Sequence, residues 1–225
     1  MSIYNLDNAI KTLKRNGYEV NDPWDIVSGF ESSIANFCGS KFAVALDSCT
    51  NAIFLSFKFK NISNKKIQIP SKTYLSVPQT ILWSGNKPIF KDFEWTGFYQ
   101  LGETGIFDSA GRLSKNMYIK NSYMCCSFHI KKNIPIGKGG MILTDSKEAY
   151  DWLYKAVYEG RDRRKNHDNI YDLDYLGWNM YTTPEQAAYG IDLFYEYKKN
   201  NIFKDVASSS KYKDLSKFKI FKKII

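Results

Sequence analysis

Histidine and cysteine are both scarce in this chain: two histidines and four cysteines in 225 residues, the cysteines at 38, 49, 125 and 126. The four cysteines lie in apolar or compact segments and none has metal-ligand spacing with a histidine, so neither a metal centre nor a disulfide framework is expected. Reduced, buried thiols are the expectation. No stretch of about 18–20 uninterrupted apolar residues occurs, which argues against a membrane-spanning helix. The opening MSIYNLDNAI mixes polar and acidic residues where an export signal needs an apolar core. These absences point to a soluble, cytoplasmic protein. What is present is a 44% hydrophobic and 16% aromatic composition, enough for one large domain with its own core.

Acid is also in deficit, with 23 Asp and Glu against 32 Lys and Arg and a net charge of +9. Most of that excess lies in the last stretch of the chain. From Lys198 onward, Lys198, Lys199, Lys204, Lys211, Lys213, Lys217, Lys219, Lys222 and Lys223 face only Asp205 and Asp214. The rest of the chain carries an ordinary globular surface, so the bulk charge does not by itself call for a nucleic-acid partner. Because Tyr212, Phe218 and Phe221 interleave with the lysines, a module that binds nucleic acid or an anionic membrane stays open as one reading. A second basic cluster, GRDRRKNHDN from Gly160, reads as a solvated loop.

Along the chain, NDPW at Asn21–Trp24 is a turn and helix-start signal, and GFESSIANFCG spaces Phe30, Ile34 and Phe37 as a helix that Gly39 would stop. Short apolar runs follow: FAVAL, KIQIP, KPIF, GIFD, YMCCSF and GMILT. Helical candidates TNAIFLSFKF and SVPQTILWSG separate the first three, giving β-α-β-α-β and therefore an α/β fold with predominantly parallel strands. Two later helices carry their own start signals, Ser146 before KEAYDWLYKA and Thr183 with Pro184 before EQAAYGIDLFYEYKK.

Open α/β sheets bind ligands at the carboxyl ends of their strands, so the residues just past each apolar run are the candidates. After FAVAL, Ser48, Cys49, Thr50 and Asn51 lead into a helix whose free N–H groups suit a phosphate, although such residues also serve as simple caps. After KIQIP comes Tyr74, an aromatic able to stack on a flat ring or merely to pack. After GIF comes Asp108, a carboxylate suited to a protonated ring nitrogen or to a solvated turn. After YMCCSF come His129, Lys131 and Lys132, where a desolvated lysine becomes an amine nucleophile toward an aldehyde. Phosphate cradle, ring stacker, ring-nitrogen acid and amine together are what pyridoxal 5′-phosphate (PLP) requires.

In order and spacing the chain resembles the DegT/DnrJ/EryC1/StrS family of PLP-dependent sugar aminotransferases from about Phe30 to Tyr197. GSKFAVALDSCTNAI is similar to that family's G-x-x-x-A-V-x-x-x-S-G-T-x-A-L, PSKTY to P-S-x-T-aromatic, DSA to D-x-A, SFHIKK with GKGG to S-F-H-x-x-K with G-E-G-G, and GWN with EQAA to G-x-N with Q-A-A. The resemblance implies a fold type I large domain, a three-layer α/β/α structure with a mixed, mostly parallel central sheet. It also implies amino transfer from an amino acid, glutamate in most of the family, to a keto sugar on a nucleotide carrier, in a homodimer with a shared active site. It assigns Lys132 to the covalent bond with PLP, Asp108 to the ring nitrogen, Tyr74 to the ring face and Ser127 to the phosphate. Cys49, Thr50 and Asn51 fall at the phosphate-side helix start, and Asn179 at the phosphate of the other subunit's cofactor. Lys132, where dehydratase relatives carry histidine, favours transamination.

The sequence departs from the family at Cys49 for glycine, Gly111 for glutamine or histidine, Lys138 for glutamate and Tyr181 for arginine. The expected organisation is a PLP-binding large domain over 1–200, followed over 201–225 by a basic tail in place of the family's small domain. Those departures keep a second reading open, a protein of the same fold that binds cofactor or a partner subunit without turnover.

Overall fold

The NDPW turn starts a helix by a two-way exchange. The Asp22 side chain accepts from Trp24 N at 2.7 Å and Asp25 Oδ2 accepts from Asp22 N at 3.0 Å, with Pro23 at the first helical position where no N–H is needed. Helix α2 (Pro23–Cys38) follows α1 (Leu6–Arg15) and ends on Gly39, whose φ of 87° and N–H bond to Ala35 O close the last turn. The structure is a computed structural model and describes residues 6–166, 168 and 172–224.

The expected β-α-β-α-β order is present as β1 (Phe42–Leu46), α3 (Cys49–Phe59), β2 (Lys66–Pro70), α4 (Ser76–Trp83) and β3 (Lys87–Lys91). Strands β4 (Tyr99–Gln100), β5 (Ile106–Asp108), β6 (Tyr123–Ser127) and β7 (Gly140–Thr144) complete the sheets, followed by helices α5 (Lys147–Ala156), α6 (Pro184–Asn200) and α7 (Lys219–Ile224). Ser146 caps α5 and Thr183 caps α6, as read from the sequence. The two-residue β4 is too short to leave a period in the sequence.

The larger sheet has the order β1-β7-β6-β5-β4 and is mixed, with β1, β5 and β6 running one way against β7 and β4. Strand β7 returns antiparallel to both β6 and β1, whereas β5 and β6, whose link also lacks a helix, pair in parallel. Strands β2 and β3 pair in parallel as a separate two-stranded sheet, tied to the larger one by Gly102 N donating to Gln68 O at 2.8 Å.

Alternation along the central strands produces two cores. Ala43, Ala45, Met124, Cys126, Met141 and Leu143 face the layer of α1, α2 and α6, whereas Val44, Leu46, Cys125 and Ile142 face α3, α4 and α5. The result is the three-layer α/β/α arrangement. All four cysteines are buried and unpaired. No helix among the described residues is long and apolar enough to cross a membrane, and no three His, Cys, Asp or Glu among them converge as metal ligands.

The cluster GRDRRKNHDN corrects the sequence reading of a solvated loop. Arg163 is 3% exposed, its Nη2 donates to Glu31 Oε2 at 3.1 Å, and its guanidinium packs over the rings of Tyr154 (4.7 Å) and Trp24 (5.5 Å). Arg164 reaches Asp22 and Asp25 at 2.8 Å each. His167 and Asn169 of that cluster lie outside the described residues. The partners stand more than 130 residues away in sequence, which no local pattern signals.

The lysine-rich stretch after α6 also packs. Ala207, Ser209, Leu215 and Phe221 are buried, Tyr212 stacks on Trp95, Phe221 meets Phe90, and the exposed lysines point outward. Tyr212 and Phe221, two of the three aromatics that a nucleic-acid surface would present, are committed to packing against the domain.

Candidate active site

The carboxyl ends of β1, β5 and β6 and the amino end of β7 share one edge, because Leu46 and Ser127 both register with Gly140, and Asp108 with Cys125. Gly140 permits close approach there: a Cβ on it would stand 2.4 Å from Ser48 C and 2.6 Å from Cys49 N, so the start of α3 rests directly on β7.

Asp108 anchors the edge. It is 6% exposed, its Oδ1 accepts from Ala110 N at 2.9 Å, and its Oδ2 accepts from the Tyr99 hydroxyl at 2.8 Å, while Tyr99 bonds Thr73 at 2.5 Å. Among the described residues no cation pairs with it. Burial raises its pKa above the usual carboxylate range, more than Ala110, Tyr99, the Lys132 charge and Cys49 together lower it. The Cys49 thiol lies 3.8 Å from Asp108 Oδ1 and donates to Cys125 O at 3.1 Å, and burial pushes it well above the ordinary thiol value, with Asp108 adding to the effect. That thiol is packed against Asp108 and Cys125, where burial favours its protonated form.

Lys132 is half-buried and Lys131 exposed, and the Lys132 charge acts on both Asp108 and Cys49. Cys49 and Asp108 meet directly at this edge, and Lys132 follows the end of β6 on the same edge. Thr50 and Asn51 flank it at the start of α3, with Thr50 Oγ1 against Ser76 Oγ at 2.7 Å and Asn51 Nδ2 donating to Asp47 Oδ1 at 2.7 Å. Lys138, at the family's glutamate position, bonds the same Asp47 at 3.2 Å. Ser127 closes β6, its Oγ accepting from His129 N at 3.4 Å. Tyr74 is 55% exposed and meets the group through Tyr212, edge to face at 6.4 Å. Asn179 is not in the cluster; it is exposed and its Nδ2 donates to Glu159 at 2.9 Å. The supports Tyr99 and Thr73 escaped the sequence reading, although Thr73 stands inside the PSKTY segment; Tyr99 sits in a strand of two residues.

The Asp108 shift predicts a pH signature. Between the ordinary carboxylate pKa, about 4, and the raised value in the fold, the folded state binds more protons than the unfolded one. This group's contribution therefore turns against folding as pH rises through that window, and the penalty persists above it. Asp108→Asn in the ligand-free protein should gain stability over wild type from pH 4 to pH 7 in urea unfolding. A difference independent of pH would contradict the assignment.

The three-layer α/β/α domain with its mixed central sheet has the fold type I architecture. The sequence profile of the DegT/DnrJ/EryC1/StrS aminotransferase family matches residues 7–99 and 116–208, and the chain belongs to that family. The spore coat polysaccharide biosynthesis protein SpsC of Bacillus subtilis (strain 168) is 25% identical over 73% of this chain and 55% of its own length. DesI, solved in the presence of its TDP-sugar product, aligns with a TM-score of 0.63 and 18% identity over 87% of this chain and 59% of DesI. NtdA from Bacillus subtilis, solved with bound cofactor PMP, aligns at 0.59 and 18% identity over 83% of this chain and 51% of NtdA. The chain spans about half the length of the curated relatives it matches, 55% in each case.

Proposed function

We propose that the chain is the cofactor-binding part of a PLP-dependent aminotransferase that moves an amino group from an amino acid, glutamate by resemblance, to a keto sugar carried on a nucleotide. The observation that carries this reading is Asp108: a buried carboxylate with no ion-pair partner among the described residues, held by Tyr99 and Ala110 at the edge where β6 leads to Lys132. A protonated pyridine nitrogen answers the missing cation, so the residues fit the group. The relatives' names, a polysaccharide biosynthesis protein and an enzyme with a TDP-sugar product, support the substrate class.

Lys132 Nζ would hold PLP covalently, Asp108 would keep the ring nitrogen protonated, Tyr74 would cover the ring, and Ser127 with the first N–H groups of α3, at Cys49 and Thr50, would take the phosphate, beside Asn51, whose own N–H bonds the Ser48 hydroxyl at 3.2 Å. When bound, PLP supplies an electron sink for a carbanion at the donor's α-carbon. Once the donor amine has displaced it, Lys132 Nζ would be the base that takes the α-proton and delivers it to the carbon that had carried the aldehyde. Tyr99 holds Asp108 in place through its hydroxyl, itself braced by Thr73. Asn179, exposed on a segment that also exposes Leu176 (84%), would reach the cofactor of a second copy in a homodimer.

Borohydride reduction of the PLP-loaded protein followed by peptide mass mapping tests the reading, with the label expected on Lys132. Label on Lys131, or none, would overturn it. Label on Lys132 with no amino transfer to any keto-sugar nucleotide would instead support cofactor binding without turnover, the reading that Gly111 and Lys138 favour.

A further inference from the structure

The segment between α6 and α7 contacts the stretches that carry Tyr74, Asp108 and Lys132. Asn133, next to Lys132, donates from Nδ2 to Lys204 O at 3.0 Å and accepts at Oδ1 from Lys204 N at 3.2 Å, so both ends of one buried amide are spent on a single residue of that segment. Behind Asp108, Arg112 grips Asp205 through Nε at 2.7 Å and Nη2 at 2.5 Å, and Val206 N donates to Gly111 O at 2.8 Å. Gly97 N donates to Ala207 O at 2.8 Å and Ser209 N to Trp95 O at 3.0 Å, and ahead of Tyr74 Leu215 N donates to Ser71 O at 2.8 Å. Gly111 has no side chain for a physical reason: a Cβ there would stand 2.7 Å from Gly97 O and 2.9 Å from Ala207 Cβ. The space a glutamine would fill is taken by this segment.

Tyr212 lies in the middle of the span. Its ring stacks on Trp95 (5.7 Å, 24°) and stands edge-on to Tyr74 (6.4 Å, 71°), while Trp95 leans on Tyr99 (4.8 Å), the residue that donates to Asp108. Its hydroxyl has no hydrogen-bond partner among the described residues. Its ring thus reaches the site through Tyr74 directly and through Trp95 to Tyr99, and burial pushes its hydroxyl up to about 12.

We infer that Tyr212 is a ligand-contacting residue of the proposed PLP pocket, and that residues 204–215 form the wall that holds the segments of Tyr74, Asp108 and Lys132 at fixed spacing. The inference rests on the PLP reading for the ligand but not for the wall.

The test uses the full chain with Tyr212→Ala and Tyr212→Phe, and reads PLP affinity from the visible absorbance of the lysine-bound cofactor. An aromatic contact of about 1 kcal/mol predicts a loss of affinity of roughly fivefold for Tyr212→Ala and near wild-type affinity for Tyr212→Phe. Unchanged or tighter binding by Tyr212→Ala would overturn the inference. If the wild type takes up no PLP, the functional reading fails by itself, and the wall is then judged by peptide-resolved alkylation in the ligand-free proteins. There Tyr212→Ala should speed alkylation of Cys49 about tenfold, with Cys38 and Cys126, buried in the opposite core, unchanged. An unchanged Cys49 rate, or a parallel rise at all three cysteines, would overturn the wall as well.

Discussion

Replacing Arg163 alone with methionine is expected to lower stability by about 3–5 kcal/mol, because it strands the Glu31 carboxylate in the interior. For a domain of this size the loss corresponds to a fall in Tm on the order of 10 °C. Both side chains are almost fully buried, at 0% and 4% exposure. Glu31 has a second duty, since its Oε1 accepts from Ala45 N at 2.9 Å in the middle of β1, so the pair joins α2, the central sheet and the 160–166 loop. The informative comparison is the double variant Glu31→Gln with Arg163→Met. It removes both charges and keeps an acceptor for Ala45 N–H. It should therefore be more stable than Arg163→Met alone, a coupling that a double-mutant cycle in urea measures directly. Additive losses would show that the pair is not an interacting unit.

Exchanging Lys132 for alanine should lower amino transfer by roughly 10²–10⁴-fold, the range expected on losing a positioned proton-transfer group. The neighbouring Lys131→Ala should stay within about threefold of wild type, in keeping with the size of effects at exposed sites distant from the chemistry. Steady-state formation of amino sugar from glutamate and a keto-sugar nucleotide checks both. The contrast carries the weight, because the two lysines differ in sequence by one position and in structure by burial and by the reach of one charge to Asp108 and Cys49. An inactive Lys131 variant beside an active Lys132 variant would move the chemistry to Lys131 and overturn the assignment.

Elements with local signals were legible in the sequence. Asp22, Pro23 and Gly39 bound α2, Ser146 and Thr183 start their helices, and six apolar runs became six strands, since caps and period-2 apolarity act over a few residues. Asp108, Cys49 and Lys132 were readable as strand-end residues, and Cys49 and Asp108 lie side by side at that edge. What stayed hidden depends on contacts across long separations: the Arg163–Glu31 pair, the pairing of Gly111 with Val206, and the inward turn of Tyr212 and Phe221 within a run of lysines. The separation of β2 and β3 from the larger sheet was equally silent, because a strand's own residues do not name its neighbour.

Strand β1 has one ladder partner, β7, and the register joins Phe42 to Thr144 and Leu46 to Gly140. A chain emerging from the ribosome must therefore wait for roughly a hundred further residues before its first strand finds a mate, a long-range closure with a corresponding entropic cost. Until then the helix start at Ser48 has no floor beneath it. Assembly of the corner where α3 rests on β7 thus trails synthesis of its first half, and a nascent chain halted before Gly140 would present an open, aggregation-prone edge.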